Sequence, residues 1–179
     1  MDQTKSIIAI YTGNGKGKTT AAVGQIIRVC GAGWRVGLIR WLKDETSSEM
    51  AVLQQIPGLT IKTASPGFKG FFSDLPAARQ QTIVEESLAA LALAEEWLKK
   101  GDLNLLVLDE LMVAVDFKII TQERVIHLFN LARDKAVDLV VTGRGSNTEI
   151  FKAADLITEM KEVKHPYTSG YPARRGYDY

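Results

Sequence analysis

The chain has 179 residues, 46% of them hydrophobic and 24% charged, with a formal net charge of +1. That length suits one well-buried domain over residues 1–179, and the neutral balance argues against a nucleic-acid or membrane surface. A single cysteine, Cys30, excludes an intrachain disulfide and fits a reducing compartment. No apolar run approaches membrane-spanning length and residues 1–6 do not resemble a secretion signal, so a cytoplasmic enzyme is expected.

The first predicted strand is the apolar run Ile7-Ile8-Ala9-Ile10-Tyr11. Thr12-Gly13-Asn14-Gly15-Lys16-Gly17-Lys18-Thr19-Thr20 follows as a glycine-rich turn that runs into a helix. Glycines let consecutive backbone N–H groups point inward, and a helix N-terminus adds partial positive charge. Lys18 and Thr19 then offer an ammonium and a hydroxyl to phosphate and Mg²⁺. The usual pattern has a glycine five places before Gly17, where this chain has Thr12. Gly13, Gly15 and Gly17 still supply the concavity, so the stretch reads as a variant nucleoside-triphosphate site.

Residues 20–30 have helical character, with Cys30 expected as a buried small side chain at their end. Residues 34–41 read as a second strand covered on both faces, and 43–55 as a loop feeding a short helix. A third, peripheral strand is predicted over 59–64. Residues 65–76 hold Phe68, Phe71 and Phe72 among glycines and prolines, with no regular period. Two readings stand: a surface loop whose phenylalanines tuck onto the core, or an aromatic wall over a flat ligand. The longest helix spans 77–100, with Ile83, Val84, Leu88, Leu91, Ala92 and Leu98 as its apolar side.

Residues 104–108 form an apolar strand that runs into Asp109-Glu110. Carboxylates at the end of a buried strand complete a phosphate-loop site, because one can hold Mg²⁺ directly or through water opposite the Thr19 hydroxyl. A short helix over 111–117 follows, then another capped by Thr121. His127 reads as a structural or surface histidine. Residues 137–141 form a strand ending at Thr142-Gly143-Arg144-Gly145, and parallel-sheet logic brings Arg144 to the mouth of the same crevice. There it either clamps a polyphosphate or another ligand oxygen, or braces Asp109 or Glu110 as a salt bridge. A short helix over 147–154 and a last strand over 155–160 precede a tail rich in glycine, proline and aromatics. The sum is an α/β fold with a mostly parallel sheet of about six strands and helices on both faces.

Physical reasoning on these residues leaves open a phosphate-loop ATPase, a small-molecule kinase or another use of ATP. The ordered set of motifs narrows the field. Residues 12–22, Gly67-Phe68, 106–114 with Asp116-Phe117, Thr142-Gly143-Arg144-Gly145, Val163-Lys164-His165 and Gly176-Tyr177-Asp178-Tyr179 together resemble the ATP:corrinoid adenosyltransferases. The resemblance implies a RecA-like phosphate-loop fold, a homodimer, Mg²⁺, and ATP and a reduced corrinoid as substrates, with an electron-donating flavoprotein as partner. It implies that ATP lies reversed in the loop and that the whole triphosphate leaves. Lys18, Thr19, Glu110 and Arg144 would be the catalytic set, Thr12 to Thr20 would bind the nucleotide, and Thr19, Asp109 and Glu110 would hold the metal. Members of that family carry Gly-Phe-Thr-Trp beside the corrin. Phe68 matches its phenylalanine, Gly70 stands at its tryptophan, and Phe71 and Phe72 are the candidates for the missing ring.

Overall fold

A computed structural model describes residues 5–44, 46–68, 70 and 72–178. Six parallel strands form its sheet: β1 (Ile8–Thr12), β2 (Val36–Arg40), β3 (Leu59–Thr63), β4 (Leu105–Asp109), β5 (Asp138–Thr142) and β6 (Leu156–Glu159). Their order across the sheet is β3-β2-β4-β5-β1-β6. Every strand predicted from the sequence is present, with only its ends displaced. The helices are α1 (Lys18–Gly31), α2 (Ser48–Leu53), α3 (Ala77–Lys100), α4 (Leu111–Asp116), α5 (Gln122–Asp134) and α6 (Thr148–Ala153). Among the described residues no helix is long and apolar enough to cross a membrane.

Strand side chains alternate between two cores, as the pleat requires. Ile8, Ile10, Ile39, Leu106, Leu108, Leu139 and Val141 join a cluster with residues of α3, α4, α5 and α6. Ala9, Val36, Leu38, Leu105, Val107 and Val140 join a second cluster with α1 and α2. The four central strands β1, β2, β4 and β5 are therefore buried on both faces, and the continuous hydrophobic runs in the sequence follow from that, whereas the edge strand β6 is exposed throughout. Carboxylates fix how β1 enters the sheet: Ile7 N donates to Asp138 Oδ1 at 2.8 Å and Ile8 N to Asp155 Oδ2 at 2.9 Å. A parallel sheet with helices on both faces and a glycine-rich loop after its first strand is the RecA-like phosphate-loop architecture.

Several local expectations need correction. In α3 the buried side is Ile83, Ser87, Ala90, Leu91, Ala94 and Leu98, while Leu88 and Ala92 are exposed. Small residues face inward so that the helix lies close to the sheet, close enough for Trp41 Nε1 to donate to Ser87 O at 3.3 Å. Thr121 occupies the N-cap position of α5 without a side-chain capping hydrogen bond. Cys30 is half-buried rather than buried, and burial raises its thiol pKa. The tail, expected to be irregular, contains one 3-10 turn at Pro166–Ser169.

Candidate functional site

The site is assembled at the carboxyl ends of β1, β2, β4 and β5, where backbone direction and helix N-termini converge. Between β1 and α1 the glycine-rich loop lies against the chain leaving β6. Gly15 N donates to Met160 O at 2.7 Å. A Cβ on Gly13 would stand 2.4 Å from Met160 O and one on Gly15 2.7 Å from the same atom, so side chains are excluded from this wall of the loop. Thr12, the departure from the usual pattern, is buried and donates its Oγ1 to Gly145 O at 2.8 Å. A glycine there would remove this side-chain tie to the loop after β5.

Lys18 begins α1 and is buried, its Nζ donating to Gly13 O at 2.7 Å and Gly15 O at 2.8 Å. Burial holds the Lys18 pKa below its ordinary value; the Glu110 charge opposes that, and the Arg144 and Lys43 charges reinforce it. Thr19 Oγ1 donates to Asp109 Oδ1 at 2.9 Å, joining the loop to the end of β4.

Asp109 is the electrostatic hub. It is 1% exposed and also accepts from Thr142 Oγ1 at 2.7 Å and from Lys43 Nζ at 2.8 Å, with Arg40 Nε 3.8 Å away. Burial pushes its pKa up, but Lys43, Thr142 and Arg40 together outweigh burial and hold it below the ordinary carboxylate range. Glu110 goes the other way: burial raises its pKa, the neighbouring Asp109 adds to the rise, and Lys43 at 3.6 Å only partly offsets it. Its backbone sits at φ 61°, a left-handed conformation uncommon for a residue with a side chain. Glu110 N donates to Thr142 Oγ1 at 2.9 Å, which holds that turn in place.

These groups border a cavity of about 1050 Å³ lined by residues 14–20, Arg40, Lys43, Glu110, Arg144 and parts of the tail, including Tyr167 and Tyr177. Its size is at the upper end of small-ligand sites, which run to about 1,000 Å³. Of the predicted nucleotide residues, Asn14 to Thr20 line it, whereas Thr12 and Gly13 do not. Arg144 lines the cavity, is exposed, and makes no ion pair among the described residues. Phe68 is buried in the core and Phe72 packs on Phe117 with ring centroids 5.2 Å apart; neither lines the cavity. Phe71 lies outside the described residues. The tail folds back over the loop: Lys16 Nζ contacts Asp178 and sits 3.9 Å from the Tyr177 ring centroid.

Sequence reasoning missed Lys43 and Arg40. Arg40 pairs directly with Asp109 in the β2–β4 register. A charged residue ending an otherwise apolar strand was the available signal. Among the described residues no cluster of three or more His, Cys, Asp or Glu could hold a metal ion. A hydroxyl and two carboxylates beside a phosphate cradle nevertheless fit Mg²⁺, which takes one or two protein carboxylates and completes its shell with phosphates and water.

Comparison with known proteins gives the family. A corrinoid adenosyltransferase of Pseudomonas aeruginosa is 33% identical over 177 residues, covering 98% of this chain and 84% of its own. A corrinoid adenosyltransferase of Escherichia coli K12 is 31% identical over 179 residues, covering 98% and 86%. Among solved structures, a KaiC-like protein from Pyrococcus horikoshii OT3 matches with a TM-score of 0.56 at 16% identity, covering 89% of this chain and 73% of its own, a likeness of fold alone. The family model for ATP:corrinoid adenosyltransferase BtuR/CobO/CobP matches residues 4–179. With that match spanning nearly the whole sequence, phosphate loop and strand-end carboxylates included, the chain belongs to the ATP:corrinoid adenosyltransferase family.

Proposed function

We propose that this protein transfers the 5′-deoxyadenosyl group of ATP to cobalt(I) of a reduced corrinoid, cobalamin or a precursor. A cobalt–carbon bond forms, the bond from C5′ to the triphosphate oxygen breaks, and its electron pair leaves with the intact triphosphate. The observation that carries this reading is the gathering of positive charge at one cavity in a chain of this family: the N-terminus of α1, Lys18, Lys43 and Arg144. A triphosphate leaving group needs that charge, and a cobalt nucleophile needs no protein base.

The protein's work is then positional and electrostatic. Backbone N–H groups of Asn14 to Thr20 cradle the triphosphate, Lys18 turns from Gly13 O and Gly15 O to meet it, and Arg144 closes on it from the mouth. Thr19, Asp109 and Glu110 would hold Mg²⁺, which when bound neutralises charge building on the departing phosphates. Phe68 and Phe72, on the same carboxyl-end side of the sheet, are proposed to bear on the corrin through the loop they share. A homodimer, an electron-donating flavoprotein and a cytoplasmic location complete the reading by family likeness.

The test is product analysis. Incubation with ATP, Mg²⁺ and chemically reduced cobalamin is expected to give a light-sensitive alkylcobalamin spectrum and one triphosphate per cobalt–carbon bond. ADP with no such bond would replace this reading with a phosphate-loop kinase or ATPase.

A further inference from the structure

Lys43 leaves β2 by way of Leu42, whose φ of 49° lies in the left-handed region that side-chain-bearing residues seldom adopt. That turn sends the Lys43 ammonium into the carboxylate cluster. Nζ donates to Thr19 Oγ1 at 2.6 Å and to Asp109 Oδ2 at 2.8 Å, and lies 3.6 Å from Glu110 Oε1. These are the oxygens assigned above to Mg²⁺, and the inference rests on that assignment. A magnesium ion bonds such oxygens at about 2.0–2.1 Å, so it and an ammonium already in hydrogen-bond contact with them cannot share the position. Like charges that close also repel strongly in a partly buried site.

We propose that Lys43 is an internal cation that occupies the metal position and makes divalent-cation binding conditional on a polyphosphate. The contrast with Arg40 supports this. Arg40 also faces Asp109, but its side chain is 2% exposed and held by Ser47 Oγ at 2.8 Å, Asp44 O at 3.4 Å and Glu49 at 3.6 Å. It is a fixed counter-charge. Lys43 is 25% exposed and lines the cavity, so its flexible stem can carry the ammonium away from the carboxylates and onto phosphate oxygens. A metal arriving alone must strip Lys43 from a buried carboxylate and leave it without an equivalent partner. A metal arriving with polyphosphate brings that partner along. The two ligands are thereby coupled through one side chain.

The experiment is a Mn²⁺ titration in the absence of nucleotide, read by water-proton relaxation, on the wild type, Lys43→Met and Asp109→Asn. Lys43→Met is expected to bind Mn²⁺ about tenfold more tightly than the wild type, within the usual range of such couplings. Asp109→Asn is expected to bind it more weakly. If Lys43→Met does not fold, Lys43→Gln, which keeps a hydrogen-bond donor beside Asp109, takes its place with the same expectation. Equal affinity in wild type and the Lys43 variant, with weakened binding in Asp109→Asn, overturns the competition and leaves the metal assignment standing. Unchanged binding in Asp109→Asn removes the metal assignment and this inference with it.

Discussion

Thr142→Val is the substitution that most directly probes how the carboxylate pair is held. Thr142 is fully buried at the end of β5. Its hydroxyl donates to Asp109 Oδ1 at 2.7 Å while accepting from Glu110 N at 2.9 Å. Valine keeps the volume and the β-branched shape that a strand favours but removes both bonds. The bond to the charged carboxylate is worth about 1.5–3 kcal/mol and the neutral one about 0.5–1.5 kcal/mol, so unfolding stability should fall by about 2–4.5 kcal/mol. Glu110 also loses the anchor for its left-handed turn, a conformation that costs of order 1–3 kcal/mol and persists only while its surroundings impose it. Its carboxylate should therefore drift, and kcat should fall by about tenfold or more. Urea denaturation and adenosylation assays check the two effects, with Thr142→Ser, which retains the hydroxyl, expected to recover most of both. Stability within about 0.5 kcal/mol of the wild type together with unchanged turnover would refute the reasoning.

Lys18→Ala is expected to lower turnover by about 10²- to 10³-fold, the usual cost of removing one transition-state donor, while circular dichroism shows the fold retained. Activity near the wild-type level would remove Lys18 from the leaving-group role. Phe68→Ala empties a core position and should lose about 3–5 kcal/mol in chemical denaturation. A loss under about 1 kcal/mol would contradict its burial. Asp109 is held below its ordinary value, so the stability it contributes is present above about pH 3.9 and disappears as pH falls through its folded value. Glu110 has the opposite sign: its folded value is raised, and ionising it costs stability as pH climbs from about 4.3 through that value. Thermal melts across the acid range should show a flattened acid limb in Asp109→Asn and relief at higher pH in Glu110→Gln.

That Lys18, Thr19, Asp109 and Glu110 come together was legible in the sequence because each belongs to a contiguous stretch with a local pattern of its own. The glycine loop needs only its own residues, and the two carboxylates need only the apolar strand before them. Lys43 and Arg40 carry no such local signature. They reach Asp109 because β2 lies next to β4 with Arg40 opposite Asp109, a matter of strand order that neighbouring residues do not encode. Thr142 stood in a recognised motif, but its bridging role depends on β5 lying on the other side of β4. In α3 the apolar count pointed to Leu88, whereas the sheet selected Ser87 and Ala90 because close approach favours small side chains over hydrophobic ones. The phenylalanine loop had two readings, and the core claims Phe68 while Phe72 rests against Phe117.

The position of β1 between β5 and β6 also governs how the protein is made. The strand that leads into the phosphate loop is synthesised well before either of its sheet neighbours, which come from residues 138–159. Until those residues are synthesised, Ile8 and Ile10 have no strand to pair with, and Gly15 lacks its backbone acceptor on Met160. Such long-range parallel pairing is slow and leaves apolar surface uncovered meanwhile. Nucleotide affinity should accordingly be among the last properties a nascent or refolding chain acquires, and a late-folding reporter for the rest.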